Sequence, residues 1–302
     1  AKVYESPEIT GYITKEAAAL TGLKEGTPVV GGAGDNAAAA VGTGIVSDGK
    51  AFTTIGTSGV VFAHTSEIQI DPKGRVHTFC CAVPGCWHIM GVTQAAGLSL
   101  KWFRDNFCSE EMQTAQLMDI SEYYLMDKEA ETVPIGSDKL FYLPYLMGER
   151  TPHLDPDARG MFFGLSAIHT KKHLLRSVME GVAYSLCDCK KICSDMGIKI
   201  DDMMACGGGG TSALWRSMLS DLYNCPVKTV TCKEGPALGV AILALVGSGI
   251  YSSVADACEK IIKINKTQLP VEANVKEYHK YYEFYTKLYD SVKENCNKLA
   301  RL

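Results

Sequence analysis

The chain has 302 residues, 46% apolar and 21% charged, enough to bury the core of one large or two ordinary domains and too apolar for a disordered chain. Its formal charge is −4 and it has no basic block that could neutralise a line of phosphates, which argues against nucleic acid as a partner and leaves room for a small anion held by backbone. The longest strongly apolar run, Ala237 to Val246, is too short to span a bilayer, and the opening AKVYESPE lacks the apolar core of a signal peptide, so the expected setting is cytoplasmic, with no membrane partner.

The chain opens without an initiator methionine, which reads as a cut edge. Ile9 to Ile13 predicts a short strand or hairpin, and Thr14 to Leu20 a helix capped by Thr14 and stopped by Gly22. Pro28 opens a strand that runs into Gly31-Gly32-Ala33-Gly34-Asp35-Asn36, and Ala37 to Val41 forms a helix of small residues suited to close packing. Ala51 to Ile55 and Val60 to Ala63 predict a hairpin turning at Gly56-Thr57-Ser58-Gly59. Strands follow at Val76 to Val83 and Trp87 to Val92, then helices at Leu98 to Asn106 and Glu110 to Met118. Pro144 to Pro156 is a long polar loop carrying Gly148-Glu149-Arg150-Thr151-Pro152. A core helix begins after its N-cap, Thr170, and ends before Gly197. Met203 to Cys206 is a strand, Gly207 to Gly210 a loop, and Thr211 or Ser212 to Leu222 a helix, the succession that cradles phosphates at a helix N-terminus. Val227 to Val230 is a further strand, Pro236 opens a helix through Leu245, and the tail from Val275 is an amphipathic helix whose tyrosine face is expected in the core.

Asp35 follows a strand and a glycine cluster, where its carboxylate could take a hydroxyl proton or merely cap the next helix. Asn36 beside it could bond a polyol or share the cap. Gly56, Thr57 and Ser58 offer backbone N–H groups and hydroxyls as a nest for phosphate oxygens, against the plainer reading of a hairpin turn. Gly207, Gly208, Gly209 and Gly210 read more strongly as a ligand loop, four consecutive glycines serving no evident packing purpose. Neither G-x-G-x-x-G with a distal acidic residue nor G-x-x-x-x-G-K-[ST] is present, so a dinucleotide fingerprint and a P-loop find no support. Glu149-Arg150 could meet an anion or close a cleft, a surface ion pair being the commoner outcome. The histidines lack zinc-site spacing, Cys187 and Cys189 point apart on a helix, and the twelve cysteines read as reduced, mostly structural thiols.

Taken in order, Gly34 to Gly42, Ile55 to Gly59, Gly160 to Leu165 with His173-Leu174 and Ser177 to Glu180, and Gly207 to Ser212 resemble the FGGY family of carbohydrate kinases. The resemblance covers the whole chain and matches the family's C-terminal portion. The Gly34-Asp35-Asn36-Ala37-Ala38 run, with Leu98 to Asp105, tilts it toward the branch acting on D-xylulose rather than on glycerol, gluconate or ribulose.

The resemblance implies an α/β, actin-like ATPase (ribonuclease H-like) fold whose two domains close over ATP, Mg²⁺ and a sugar. Residues 1–44 would be the end of the N-terminal, sugar-side domain, and 45–302 the C-terminal, nucleotide-side domain. Asp35 takes the place of the catalytic base, with Asn36 at the sugar; Gly56, Thr57 and Ser58 take the phosphates; Gly207 to Gly210 and Ser212 take the adenosine. No residue of this chain is assigned to a metal. The rest of the N-terminal domain, with its Asp-x-Gly-Thr turn and most sugar contacts, is the expected missing partner, so the chain is expected to be a fragment inactive alone. A homodimer is left open. The alternative class is a noncatalytic nucleotide-binding module on the same core; a dinucleotide dehydrogenase is weakened by the absent fingerprint.

Overall fold

The computed structural model describes residues 2–232 and 234–302. Seven strands form the main sheet: β3 (Gly49–Ile55), β4 (Gly59–Thr65), β5 (His77–Cys80), β6 (Trp87–Thr93), β9 (Ile200–Cys206), β10 (Val227–Val230) and β11 (Ile264–Gln268), in the spatial order β11-β10-β9-β3-β4-β6-β5. Within it, β6-β4-β3-β9-β10 is the ribonuclease H-like core of the actin-like ATPase fold. The first three are an antiparallel meander, β9 and β10 join parallel to β3, and the chain crosses between them through helices.

The meander follows from alternating β-branched and aromatic residues, which put Ala51, Ile55, Val61, Ala63 and Ile89 on one face and Phe52 and Phe62 on the other, both buried. Against the first face lies α6 (Lys171–Asp195), whose residues from Leu175 to Cys189 are buried. The run is long enough because Thr170 caps its start, no proline interrupts it, and its stop is Gly197, at φ +81°. Glu180 in this helix accepts from Gly136 N at 3.0 Å, Ser137 Oγ at 2.9 Å and Arg176 Nε at 2.9 Å, so that signature segment pins a turn rather than facing a cleft. The tail helix α10 (Glu272–Leu299) buries Tyr278, Tyr285, Leu288 and Tyr289, the packing role expected of its tyrosines.

The first residues form a separate small layer. β1 (Ile9–Tyr12) pairs with β2 (Pro28–Val30) around α1 (Lys15–Thr21), whose N-cap Thr14 accepts from Ala17 N at 3.2 Å and whose stop is Gly22 at φ +75°. Next comes α2 (Asp35–Gly42), poor in large side chains, which is held by backbone proximity to α8 (Gly235–Gly247). A Cβ on Gly42 would enter the Gly235 carbonyl, and one on Gly239 the Ala38 carbonyl. Steric repulsion rises steeply at such overlaps, so the crossing is stable only while both helices stay small there.

Some elements were not predicted. α5 (Glu122–Glu131) was missed because half of its residues are charged and it buries only Met126 and Ala130. The two-stranded β7 (Phe141–Leu143) and β8 (Met161–Phe163), α9 (Val254–Ile261) and the exposed edge strand β11 were missed as well, being short or polar. The predicted strand over Val76 to Val83 shortens to β5, and Met203 to Cys206 lengthens to β9. The helices predicted at Leu98 and Glu110 are α3 (Gly97–Phe107) and α4 (Ser109–Met118); α7 (Ala213–Tyr223) starts from its cap, Ser212. No helix among the described residues is long and apolar enough to cross a membrane.

Candidate active site

Two clefts meet at the loop between β9 and α7. The first, of about 680 Å³, is lined by Gly56 and Thr57 from the β3–β4 turn and by Gly208, Gly209, Ser212 and Trp215. The second, of about 650 Å³, is lined by Asp35 and Asn36 at the start of α2 and by Gly207, Gly208, Gly210 and Arg216. Gly208 belongs to both. Sequence positions almost two hundred residues apart are thus gathered on either side of one glycine. Ser58 lines neither cleft.

The loop is built by its neighbours. Gly207 has φ +75°, and a Cβ there would stand 2.8 Å from the Ile55 carbonyl oxygen; a Cβ on Gly209 would meet Ile55 Cγ2 at 2.5 Å and Trp215 at 2.9 Å; one on Gly210 would meet the Ala205 backbone at 3.0 Å. Three of the four glycines therefore do serve packing, which corrects the expectation that none does. Gly208 differs: its backbone is right-handed helical, φ −58° and ψ −45°, and a Cβ there would meet nothing within 4 Å. Its missing side chain leaves open space that no protein atom fills. Buried Arg216 holds the turn by donating to the carbonyls of Gly210 and Thr211, both at 2.8 Å, while Ser212 Oγ accepts from Trp215 N at 3.0 Å and caps α7.

Asp35 is the first residue of α2, exposed, and not its cap: Gly34 occupies that position with extended backbone, which overturns the capping reading. Its Oδ1 accepts from Asn36 N at 2.7 Å and Asn36 Nδ2 at 3.2 Å, so Asn36 orients the carboxylate. At the other turn, the Gly56 N–H donates to the Ser58 carbonyl at 3.0 Å, so of the nest expected there this one donor is already taken. Ala96 and Leu98, entering α3, donate to the Thr57 carbonyl at 3.1 Å each, which fixes the turn and leaves the Thr57 side chain exposed in the first cleft.

Several wall residues were missed by the sequence reading. Lys101 and Asp127 line the first cleft, and Arg216 the second. Burial pushes the Asp127 carboxyl above its ordinary range, with the Ser212 hydroxyl pulling the other way. Lys101 lay inside a segment already singled out; Asp127 sits on the unpredicted α5, and Arg216 carries no local signal.

Glu149 is not the surface ion pair expected. It is 3% exposed, its Oε1 accepts from Gln94 N at 2.8 Å and Arg150 N at 2.7 Å, and its Oε2 is buried without a partner, whereas Arg150 is exposed. Burial pushes the Glu149 carboxyl up to about 8, and burial pushes Asp188 up to about 7. A carboxyl that holds its proton in the folded state to higher pH than in the unfolded one contributes stability that is full below about pH 4.5 and lost as pH rises through about 8. The buried histidines His64, His88 and His153 are shifted down and act only below about pH 6.5, so the carboxyl effect stands apart from theirs above that value. The melting temperature should fall between about pH 6.5 and 8.5, and Glu149→Gln should make that fall shallower. Equal slopes for both proteins in thermal melts across this range would contradict the assignment.

Residues 51–248 match the C-terminal domain of the FGGY family of carbohydrate kinases, and residues 1–42 match its N-terminal domain. A xylulose kinase of Bacillus subtilis is 37% identical over 96% of this chain and 56% of its own length; a gluconokinase of the same organism is 36% identical over 92% of this chain and 54% of its own. Among solved structures, a xylulose kinase from Rhodospirillum rubrum superposes with a TM-score of 0.87 at 30% identity, covering 98% of this chain and 58% of that one. The chain thus spans little more than half the length of the relatives it matches. Since the C-terminal domain match alone takes in about two thirds of the residues and includes the β3–β4 turn and the glycine loop, the chain belongs to the FGGY family of carbohydrate kinases.

Proposed function

We propose that this chain supplies the nucleotide-binding half and the general base of an ATP-dependent sugar kinase whose acceptor is D-xylulose. The observation that carries the proposal is Gly208, whose absent side chain is required by no protein neighbour and which lines both clefts. Adenosine would lie in the first cleft between the glycine loop and α5, with Ser212 at its edge and Thr57 toward the phosphates. The terminal phosphate would then point past Gly208 toward Asp35. Asp35, oriented by Asn36, would accept the proton of the attacking sugar hydroxyl, while positioning and electrostatics carry most of the rate, as suits phosphoryl transfer. D-xylulose rests on the likeness to xylulose kinases; the gluconokinase relative marks the competing acceptor class.

Among the described residues no group of three or more His, Cys, Asp or Glu forms a metal cage. Mg²⁺ is commonly held by one or two carboxylates and the substrate phosphates, so on this side of the site the phosphates would hold it. Bound there, the ion would neutralise charge on the transferring phosphate.

We further propose that residues 1–44 close a sugar-side domain supplied by the remaining length seen in the relatives, and that the chain alone does not turn over. The binding half of the proposal is tested by calorimetry with ATP and with ADP. Gly208→Leu should keep the melting temperature within about 2 °C, because its backbone is ordinary and its surroundings open, yet weaken nucleotide binding by about tenfold or more. Undiminished affinity in the variant would remove the nucleotide from these clefts.

A further inference from the structure

The β5–β6 hairpin closes through Cys81-Ala82-Val83-Pro84-Gly85-Cys86. Its register pairs Phe79 with His88 and Cys80 with Trp87. The next rung sets Cys81 against Cys86, and Cys81 N donates to the Cys86 carbonyl at 3.0 Å. Residues directly opposed on an antiparallel pair have Cα atoms about 4.5–5.5 Å apart and side chains on one face, within the roughly 4.4–6.8 Å that a disulfide spans. The Cys81 thiol reaches the Val83 carbonyl at 3.5 Å, on the Cys86 side of the turn. Cys80, one residue earlier, belongs to the opposite face and is exposed.

The place of this pair in the fold gives it a consequence. Ala82, buried at the hairpin tip, and the half-buried Val83 pack into a cluster with Val41 of α2, Ile242 and Leu243 of α8, and Val254 of α9. The tip therefore bridges the sheet to the helix pair that carries Asp35, at the end of β6 remote from the Thr57 turn.

We infer that Cys81 and Cys86 are a disulfide-forming pair, oxidised by exchange with a small-molecule disulfide such as oxidised glutathione, and that the bond closes the hairpin whose tip packs on the α2–α8 layer. The half-buried Cys86 thiolate attacks one sulfur of the small disulfide and expels one thiolate, leaving a mixed disulfide on Cys86. The Cys81 thiolate then attacks Cys86 Sγ and expels the second. Two protein thiols are oxidised, one small disulfide is reduced to two thiols, and the protons lost by the cysteines pass to the departing thiolates. Burial pushes the Cys81 thiol up to about 11, with Cys86 and Cys80 beside it; burial also raises Cys86, with Asp48 and Glu5 acting in the same direction. Exchange is accordingly slow at neutral pH and quickens as pH rises, since only the thiolate attacks.

The experiment uses the full chain carrying Cys80→Ser, so that the peptide between Arg75 and Lys101 retains only Cys81 and Cys86. It is incubated with oxidised glutathione at about pH 7 and at about pH 8.5, quenched with N-ethylmaleimide, digested and weighed. The expected product at the higher pH is that peptide, unalkylated and about 2 Da lighter than its reduced form, formed roughly tenfold faster per pH unit. A peptide alkylated at both positions, or one carrying glutathione on Cys86 and alkylation on Cys81, overturns the pairing. Adding Cys81→Ser should turn the glutathione adduct on Cys86 into a lasting one; its absence would equally sink the proposed order of attack.

Discussion

A chain carrying Gly239→Leu is expected to lose about 3 kcal/mol or more of stability, roughly 10 °C in melting temperature, the largest effect of any single substitution considered for this fold. Overpacking usually costs about 1–3 kcal/mol because neighbouring side chains can rotate away. Here the first obstacle is the Ala38 carbonyl, fixed in the middle of α2, so the two helices must separate instead. Separation would open the cluster of Val41, Ile242 and Leu243 as well. Gly239→Ala should sit between the two proteins, since one methyl already enters the Ala38 carbonyl. A thermal melt of Gly239→Leu within about 2 °C of the parent would show that the crossing is far looser than described.

The second large effect concerns chemistry. Where residues 1–302 are joined by the family's remaining N-terminal portion and sugar-dependent ATP turnover is measured, Asp35→Ala should lower kcat by about 10²–10⁴-fold, the range that a positioned base contributes. ATP affinity should change by less than about twofold, because Asp35 lies in the cleft opposite the one proposed for adenosine. Asp35→Asn should lose as much as Asp35→Ala, since an amide keeps the shape and cannot take the proton. Retained turnover would remove Asp35 from the role of base; lost ATP binding would make its role structural.

Much of this was legible because it is local. The hairpin of β3 and β4 is written in alternation around a glycine turn, α1 in a threonine cap and a glycine stop, and α6 in a long run of helical spacing. The succession of strand, glycine loop and helix at β9 and α7 was visible for the same reason. What could not be read depends on neighbours distant in sequence. Whether a glycine in the loop is there for packing or for open space is decided by Ile55, Ala205 and Trp215, and only the three-dimensional arrangement separates Gly208 from the other three. The cap of α2 misled because Gly34 needs no side chain to hold the extended conformation that precedes a helix. Glu149 looked like a surface charge because a polar loop usually is one; its burial follows from the loop lying along β6, where Thr151 N donates to the Val92 carbonyl at 3.0 Å.

The small-residue crossing of α2 and α8 has a bearing on how such an enzyme could be altered. The carboxylate at the head of α2 is clamped to the same rigid layer that walls the glycine loop, so its distance from a bound nucleotide is set within residues 1–302. Acceptor choice, on the reading proposed above, is set largely outside them. The two properties are then separable modules: grafting a different sugar-side domain onto this chain should exchange the acceptor while the proton-accepting group keeps its register with the phosphates.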